Sequence, residues 1–298
     1  MKKQLILAAL IVIAVVAVFS VYLVGSLGLM HVRVRVMTTT SLYATGLLNY
    51  LADEFSRMHE GVSFDFIPVG SGEALRKAEL GDACMVFVHA PSLEKKYLEK
   101  GVITNQKIFA YNYFIIAGPS SDPAGVRESS SPVEAFMKIY RAGEEGDALF
   151  VSRGDNSGTH VKELSLWSKA GLDPRGKRWY VETGSGMGNT LLIANEKKAY
   201  VLSDIGTFLK FKKEGKIPDL EILYEGGMDL INVYSVYLVT SCKNPGKQLA
   251  IEFMNFISGD AQALIASYKV EEFGQPLFNP AEGNLDWLRK AWESLATS

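Results

Sequence analysis

Two hydrophobic rhythms take turns along most of this chain: apolar residues at every second position over short runs, and at every third or fourth position over longer ones. Val32, Val34 and Val36 alternate with Arg33 and Arg35, which predicts a strand over 32–37. Thr38-Thr39-Thr40-Ser41 follows with helix N-cap chemistry, and Leu47, Leu51, Phe55 and Met58 then share one helical face. Residues 62–69 read as a strand ending at Gly70-Ser71-Gly72, then a helix over 73–80 and a strand over 85–88. Tyr111 to Ala117 is another strand, closed by Gly118-Pro119. Val133, Phe136, Met137 and Tyr140 have helical spacing. Leu149-Phe150-Val151 is a short strand leading through 152–159 into a helix over 160–170. Trp179-Tyr180-Val181 leads to Gly184-Ser185-Gly186-Met187-Gly188 and a helix from near Asn189. Val233 to Thr240 is a strand, and Phe253, Met254 and Ile257, then Leu285, Leu288, Trp292 and Leu295, mark two late helices. This alternation predicts an α/β fold with mainly parallel sheets. The polar, Ser/Pro-rich residues 118–132 read as a crossover linker.

One stretch follows neither rhythm. From Leu5 to Met30 only Ser20, Gly25, Ser26 and Gly28 fall outside the hydrophobic class, with Lys2 and Lys3 before and His31, Arg33 and Arg35 after. A spanning helix needs about 20 apolar residues and a secretory core about 7–15, so residues 1–31 read first as a membrane anchor. Ser26-Leu27-Gly28 is a small-x-small triplet, which keeps a cleaved signal open as the alternative. Either reading places the rest of the chain outside the cytoplasm. The 298 residues are 48% hydrophobic and 21% charged, with a net charge of −2, which excludes a disordered chain and gives no basic footprint for nucleic acid. The two cysteines fit no zinc pattern; Cys84 and Cys242 read as buried thiols, with a disulfide as the alternative.

The chemistry concentrates at strand-to-helix junctions. Thr38–Ser41, Gly70–Gly72, Ser152–Thr159 and Gly184–Thr190 each combine hydroxyls or glycines where a strand ends and a helix begins. Ligands of α/β sheets bind at such ends, where helix N-termini offer backbone N–H groups to an anion. One such junction is ordinary capping; four, one holding an arginine, point to an anion site. Arg153 precedes Ser157 by four residues and Thr159 by six, so one loop can bring all three onto one oxyanion, with Asp155 placed to hold the guanidinium. Other motifs are weak. Asn189 stands where a dinucleotide fingerprint needs its third glycine, and no P-loop or nucleophile elbow is present. The four histidines have no metal-ligand spacing; His89 and His160 read as structural before they read as pocket residues.

Thr38-Thr39-Thr40-Ser41, Gly70-Ser71-Gly72, His89-Ala90-Pro91-Ser92, the run from Ser152 to His160, and Gly186-Met187-Gly188, in this order over roughly residues 35–280, resemble the tungstate-binding proteins of ABC importers. The resemblance implies a two-lobed type II periplasmic-binding-protein fold. Residues 32–117 and 233–298 would form lobe I and residues 118–232 lobe II, the chain crossing twice. It implies tungstate or molybdate in the cleft, contacted by Thr39, Thr40, Ser71, Arg153, Ser157 and Thr159, with Thr38, Ser41, Gly70, Gly72, Asp155, Gly158, His89 and Gly186 in support. It implies no enzymatic step, no cofactor, no metal ligand set and no nucleic acid; the partner would be a membrane permease. Cys84 departs from the family pattern, in which an acidic or small residue is expected. The rival readings are a phosphate or sulfate carrier of the same fold and, from another class, a membrane-anchored secreted hydrolase, which lacks a recognisable nucleophile or metal set.

Overall fold

A computed structural model describes Val15 and residues 31–297. The segment read as anchor or signal therefore lies, but for Val15 and His31, outside the described residues. Among the described residues no helix is long and apolar enough to cross a membrane.

In chain order the elements are β1 (Val32–Thr39), α1 (Thr40–Thr45), α2 (Leu47–Met58), β2 (Val62–Val69), α3 (Ser71–Glu79), β3 (Met85–Val88), α4 (Pro91–Glu99) and β4 (Ile103–Pro119). Then come α5 (Pro132–Glu145), β5 (Phe150–Ser152), α6 (Gly158–Lys169), β6 (Tyr180–Glu182), α7 (Met187–Lys197), β7 (Val201–Asp204), α8 (Ile205–Lys213) and β8 (Leu220–Glu225). The chain ends with β9 (Ile231–Val239), α9 (Gly246–Ser258), α10 (Gln262–Ser267), α11 (Val270–Phe273), β10 (Asn279–Pro280) and α12 (Leu285–Thr297).

Two sheets share one strand. The first runs β2-β1-β3-β9-β4-β10. β4 then continues out of it. Through Tyr113, which faces Ile231, it pairs with β9; from Phe114 to Pro119 it pairs with β7 and β8 of the second sheet. β5 pairs with β6 and reaches that sheet through a bridge from Phe150 to Tyr200. Alternation along β4 explains its burial. Ile116 faces a core with Phe136, Phe150 and Trp167, while Ile115 faces another with Leu191, Val201 and Phe208. Helices cover both faces, so the strand reads as a continuous apolar run. The first sheet is covered likewise: Phe87 packs with Leu51, Phe55 and Phe253 on one face, and Val86 and Val88 with Leu75 and Ala78 on the other.

The two-lobed α/β fold is the expected one, but its sheets are mixed rather than mainly parallel. β1–β2, β1–β3 and β5–β6 are parallel, whereas β4 and β9 run antiparallel to their neighbours. The cause is the return passage: a chain that leaves one sheet along β4 and comes back along β9 lays the two side by side in opposite directions. The cysteines also differ from their first reading. Cys84 and Cys242 form a disulfide with Cα atoms 4.8 Å apart. Cys84 precedes β3 and Cys242 follows β9; these strands are antiparallel neighbours, so both residues meet at one sheet end, where the Val239 N–H donates to the Cys84 carbonyl at 2.9 Å.

Candidate functional site

The four polar junctions converge. β1 delivers Thr38 and Thr39 at its end, and Thr39 caps α1 by accepting from the Leu42 N–H at 3.4 Å. β2 ends at Gly70, and α3 opens with Ser71 and no side-chain cap. β5 ends at Ser152; the loop after it turns through Gly154 at φ +60 and delivers Ser157, which caps α6 by accepting from the His160 N–H at 3.3 Å. α7 opens after Gly186, again without a side-chain cap. The starts of α1 and α7 meet at Thr40 and Gly186, and those of α3 and α6 meet around residues 155–157, so helix N-termini cluster about Arg153, an arrangement that suits an anion.

Glycines set how closely the parts approach. A Cβ at Gly70 would lie 3.3 Å from the Asp155 carbonyl oxygen, and one at Gly72 would lie 2.4 Å from Asn156 Nδ2. A Cβ at Gly158 would lie 2.8 Å from the carbonyl oxygen of His89, and one at Gly186 3.5 Å from Thr40 Oγ1. Every one of these approaches joins a residue of the first sheet's layer to one of the second's. Gly70 and Gly158 let backbone meet backbone across the two layers, Gly72 makes room for the Asn156 side chain, and Gly186 leaves ordinary contact distance to Thr40.

Arg153 is the centre. It is 2% exposed, and its Nη2 donates to Asp155 Oδ2 at 2.5 Å and to Thr40 Oγ1 at 3.2 Å. Asp155 Oδ1 accepts from the Ser157 N–H at 3.1 Å, so both carboxylate oxygens are engaged. Among the described residues, the buried side-chain atoms left without a partner include Arg153 Nε and Nη1, Ser71 Oγ, Thr159 Oγ1 and Thr38 Oγ1. Thr39, Thr40 and Ser157 have hydroxyl oxygens that accept, which leaves their protons to donate. The cluster is therefore rich in donors. Each oxygen of its nearest carboxylate already accepts one hydrogen bond, and Asp204, the buried cap of α8, accepts from Thr207 N and Oγ1.

His89 is buried behind this cluster. Asn232 Nδ2 donates to Asn112 Oδ1 at 3.0 Å and to the Tyr234 hydroxyl oxygen at 2.7 Å, which turns Asn232 Oδ1 toward His89 Nδ1 at 2.8 Å. The imidazole thus carries its proton on Nδ1 and leaves Nε2 to accept from the Ser41 hydroxyl at 3.4 Å. Burial lowers its pKa to about 4, against the opposing pull of the Asn232 hydrogen bond, with Arg153 adding to the depression. The ring is neutral at pH 7 and holds Ser41 rather than a ligand charge. His160 accepts from the Asn156 N–H at 3.0 Å and braces the arginine loop.

Sequence reasoning passed over three supports. Glu163 is buried under the loop, accepting from Ser152 Oγ, Trp167 Nε1 and the Tyr180 hydroxyl, and burial raises its pKa to about 7. Thr183 Oγ1 donates to the Arg153 carbonyl at 3.3 Å and also contacts Thr190 of α7. Asn112 interrupts the apolar run 108–117 of β4 and Asn232 the largely apolar β9, a signal the sequence does contain. Among the described residues no cluster of His, Cys, Asp and Glu is placed to hold a metal ion.

Residues 32–261 match the profile of the PBP superfamily domain. The chain is 38% identical over 248 residues to the tungstate-binding protein TupA of Peptoclostridium acidaminophilum, covering 82% of this chain and 84% of that protein. It is similar in structure to the tungstate ABC transporter protein of Geobacter sulfurreducens, with 42% identity and a TM-score of 0.69 over 79% of this chain and 98% of that one. It is likewise similar to the tungstate-binding protein TupA of Desulfovibrio alaskensis G20, with 39% identity and a TM-score of 0.69 over 83% of this chain and 98% of that one.

Proposed function

Because the chain belongs to the PBP superfamily, and within it to the family of the tungstate-binding protein TupA, we propose that it captures tungstate or molybdate between its two lobes outside the cytoplasm and passes the anion to an ABC permease. The observation that carries this reading is the donor set. Arg153 Nε and Nη1, Ser71 Oγ and Thr159 Oγ1 are buried without partners, and Asp155 is fully engaged beside them. Tungstate and molybdate are fully deprotonated dianions at neutral pH, so they only accept hydrogen bonds. A buried anion is tolerable only when its oxygens are paired. Arg153 supplies charge and a planar pair of donors; Ser71 and Thr159 supply hydroxyl donors from opposite sides. Thr39, Thr40 and Ser157 add their hydroxyl protons, and the first turns of α3, α6 and α7 add backbone N–H groups. Gly70, Gly72 and Gly158 let the lobes close, with Gly186 beside Thr40; Ser41, His89 and Asp155 hold the donors in place, and Thr38 Oγ1, buried without a partner, is a further donor. No bond is made or broken, so the protein is a carrier rather than an enzyme.

Hydrogen phosphate carries a proton and needs an acceptor in its site. Each Asp155 oxygen already accepts one hydrogen bond, from Arg153 or from the Ser157 N–H, which makes it a weaker and less freely oriented acceptor for a phosphate proton and favours tungstate over a phosphate carrier of the same fold. The test is calorimetric titration of the full chain in detergent with tungstate, molybdate, sulfate and phosphate. The expected result is one tungstate site of about micromolar affinity or tighter, with phosphate far weaker. Tight phosphate binding with none for tungstate would overturn the reading.

A further inference from the structure

A cavity of about 390 Å³ lies beside the contact between His89 and Gly158, both of which line it. Its size is that of a small-molecule site. None of Thr39, Thr40, Ser71, Arg153, Ser157 and Thr159 lines it. One wall is a single face of α6, where Val161, Lys162, Leu164, Ser165, Ser168 and Lys169 fall at helical spacing. The other wall comes from Phe114 of β4, the start of β9, the start of α4 and Leu295 of α12. The cavity is thus built from both lobes beside the strands that join them.

Its charge is one-sided. Lys162 and Lys169 are its charged lining residues, and no acidic side chain lines it. Lys169 is paired with Asp229 Oδ1 at 2.6 Å. Lys162 is 8% exposed, donates to the Asp229 backbone carbonyl at 2.9 Å, and forms no salt bridge among the described residues. Beyond that carbonyl the ammonium has the Phe114 ring, its centroid 6.0 Å away, and the pull of the nearby Asp229 charge, and burial, with Lys169 adding to it, still lowers its pKa to about 8. Around it the wall is apolar, with Phe114, Val161, Leu164 and Ile231. Hydroxyls of Ser92, Ser165 and Ser168 stand at the cavity as further donors.

We propose that this cavity is a second binding site, for a small organic carboxylate whose charged end meets Lys162 and whose apolar body packs against Phe114 and Ile231. α6 opens at the oxyanion cluster with Gly158 and Thr159 and carries Lys162 one turn later. A carboxylate held there touches both lobes and biases the same closure that the anion uses. Coupling of the two sites is then reciprocal.

The test uses 4-fluorobenzoate as probe, followed by fluorine NMR on the full chain in detergent micelles, with 4-fluorobenzyl alcohol as the uncharged counterpart that reports partition into the micelle. One saturable site is expected, at least about tenfold tighter for the acid than for the alcohol and weakened at least about tenfold in Lys162→Met. Ser165→Trp, which fills the cavity from the same helix face, removes it. Saturating tungstate tightens probe binding, as two ligands that favour the same closure must. Absence of saturable binding, equal binding in Lys162→Met and Ser165→Trp, or displacement by tungstate overturns the proposal. Ser165→Trp decides alone if Lys162→Met does not fold, as judged by circular dichroism. The probe titration also stands alone if the chain binds no tungstate, so failure here and failure of the carrier reading are separate results.

Discussion

Replacing Arg153 should have a large effect on anion affinity and a graded one. The guanidinium is 2% exposed, so solvent screens it little. Its Nη2 is committed to Asp155 and Thr40, which leaves Nε and Nη1 for the anion. A hydrogen bond to a charged group contributes about 1.5–3 kcal/mol. Arg153→Ala removes two, so the loss is about 3–6 kcal/mol, or roughly a hundredfold to ten-thousandfold in affinity. It also leaves the Asp155 carboxylate near the dianion without its counter-charge. Arg153→Lys keeps the charge on one nitrogen. A single ammonium cannot present two parallel donors to the anion while a third holds Asp155. The lysine variant should therefore lose about 1.5–3 kcal/mol, roughly tenfold to a hundredfold. Isothermal titration of tungstate into the full chain and both variants, at one pH and one salt concentration, reads these differences. Affinity of Arg153→Ala within about threefold of the parent, or equal affinity of the alanine and lysine variants, would refute the role given to the guanidinium.

Gly158→Ala places a methyl 2.8 Å from the His89 carbonyl, a backbone atom that cannot swing away, so it should oppose closure. Tungstate affinity should fall by at least about tenfold with little change in the unfolding midpoint of the anion-free protein, and small-angle scattering should show less compaction on anion addition. Glu163 is buried with its pKa raised from 4.5 to about 7, so the folded protein holds a proton that the unfolded chain has released across that interval. Stability from this group is then lost as pH rises from 4.5 to 7, and Glu163→Gln, which cannot ionise, should gain on the parent by about 3 kcal/mol between pH 5 and pH 8 in urea unfolding. A gain that shrinks over that range would reverse the assignment. Removing the Cys84–Cys242 disulfide by the double serine variant opens a loop of 158 residues, and chain entropy puts the loss of stability at up to about 5 kcal/mol. Anion affinity should be nearly unchanged, because the bridge joins the first sheet's own two segments and touches no donor.

The fold was legible where apolar periodicity was unbroken. β2 and β3 have the predicted bounds, and α2 buries Leu47, Leu51 and Phe55 as their spacing requires. Met58, on the same predicted face, is 60% exposed because the helix ends there. β4 starts eight residues before its predicted start at Tyr111. Its register shifts near Thr104–Lys107 and Ile108–Ala110, and each shift breaks the two-residue rhythm. β7, α8 and β8 went unread; of α8's nine residues only Gly206, Thr207 and Phe208 are buried, too few to mark a face. For the proposed site, residue types and spacing pointed to Arg153, Ser157 and Thr159, and the family resemblance to Thr39, Thr40 and Ser71. What no single junction displays is that Thr40 accepts from Arg153 across 113 residues, a contact fixed only when two sheets share β4.

The orphaned donors also bear on how closure and binding relate. A buried donor with no acceptor costs about 1–3 kcal/mol. In the closed arrangement Arg153 Nε and Nη1, Ser71 Oγ and Thr159 Oγ1 each carry that cost unless something accepts from them. Parting the lobes at Gly70, Gly72 and Gly158 would admit water to the same atoms. On the proposed reading, a dianion with four acceptor oxygens would answer all of them at once; because Asp155 already balances the Arg153 charge one to one, the anion would be held by hydrogen bonds and helix N-termini as much as by net charge. Contacts such as Arg153 Nη2 to Thr40 Oγ1 and the Gly72 N–H to the Asn156 carbonyl join the two sides without an anion, so occupancy adds to an existing closed form and shifts its population rather than creating it. The near-zero net charge of the chain follows the same logic. Selectivity needs a few donors that are costly to bury alone, not a basic surface that attracts every anion.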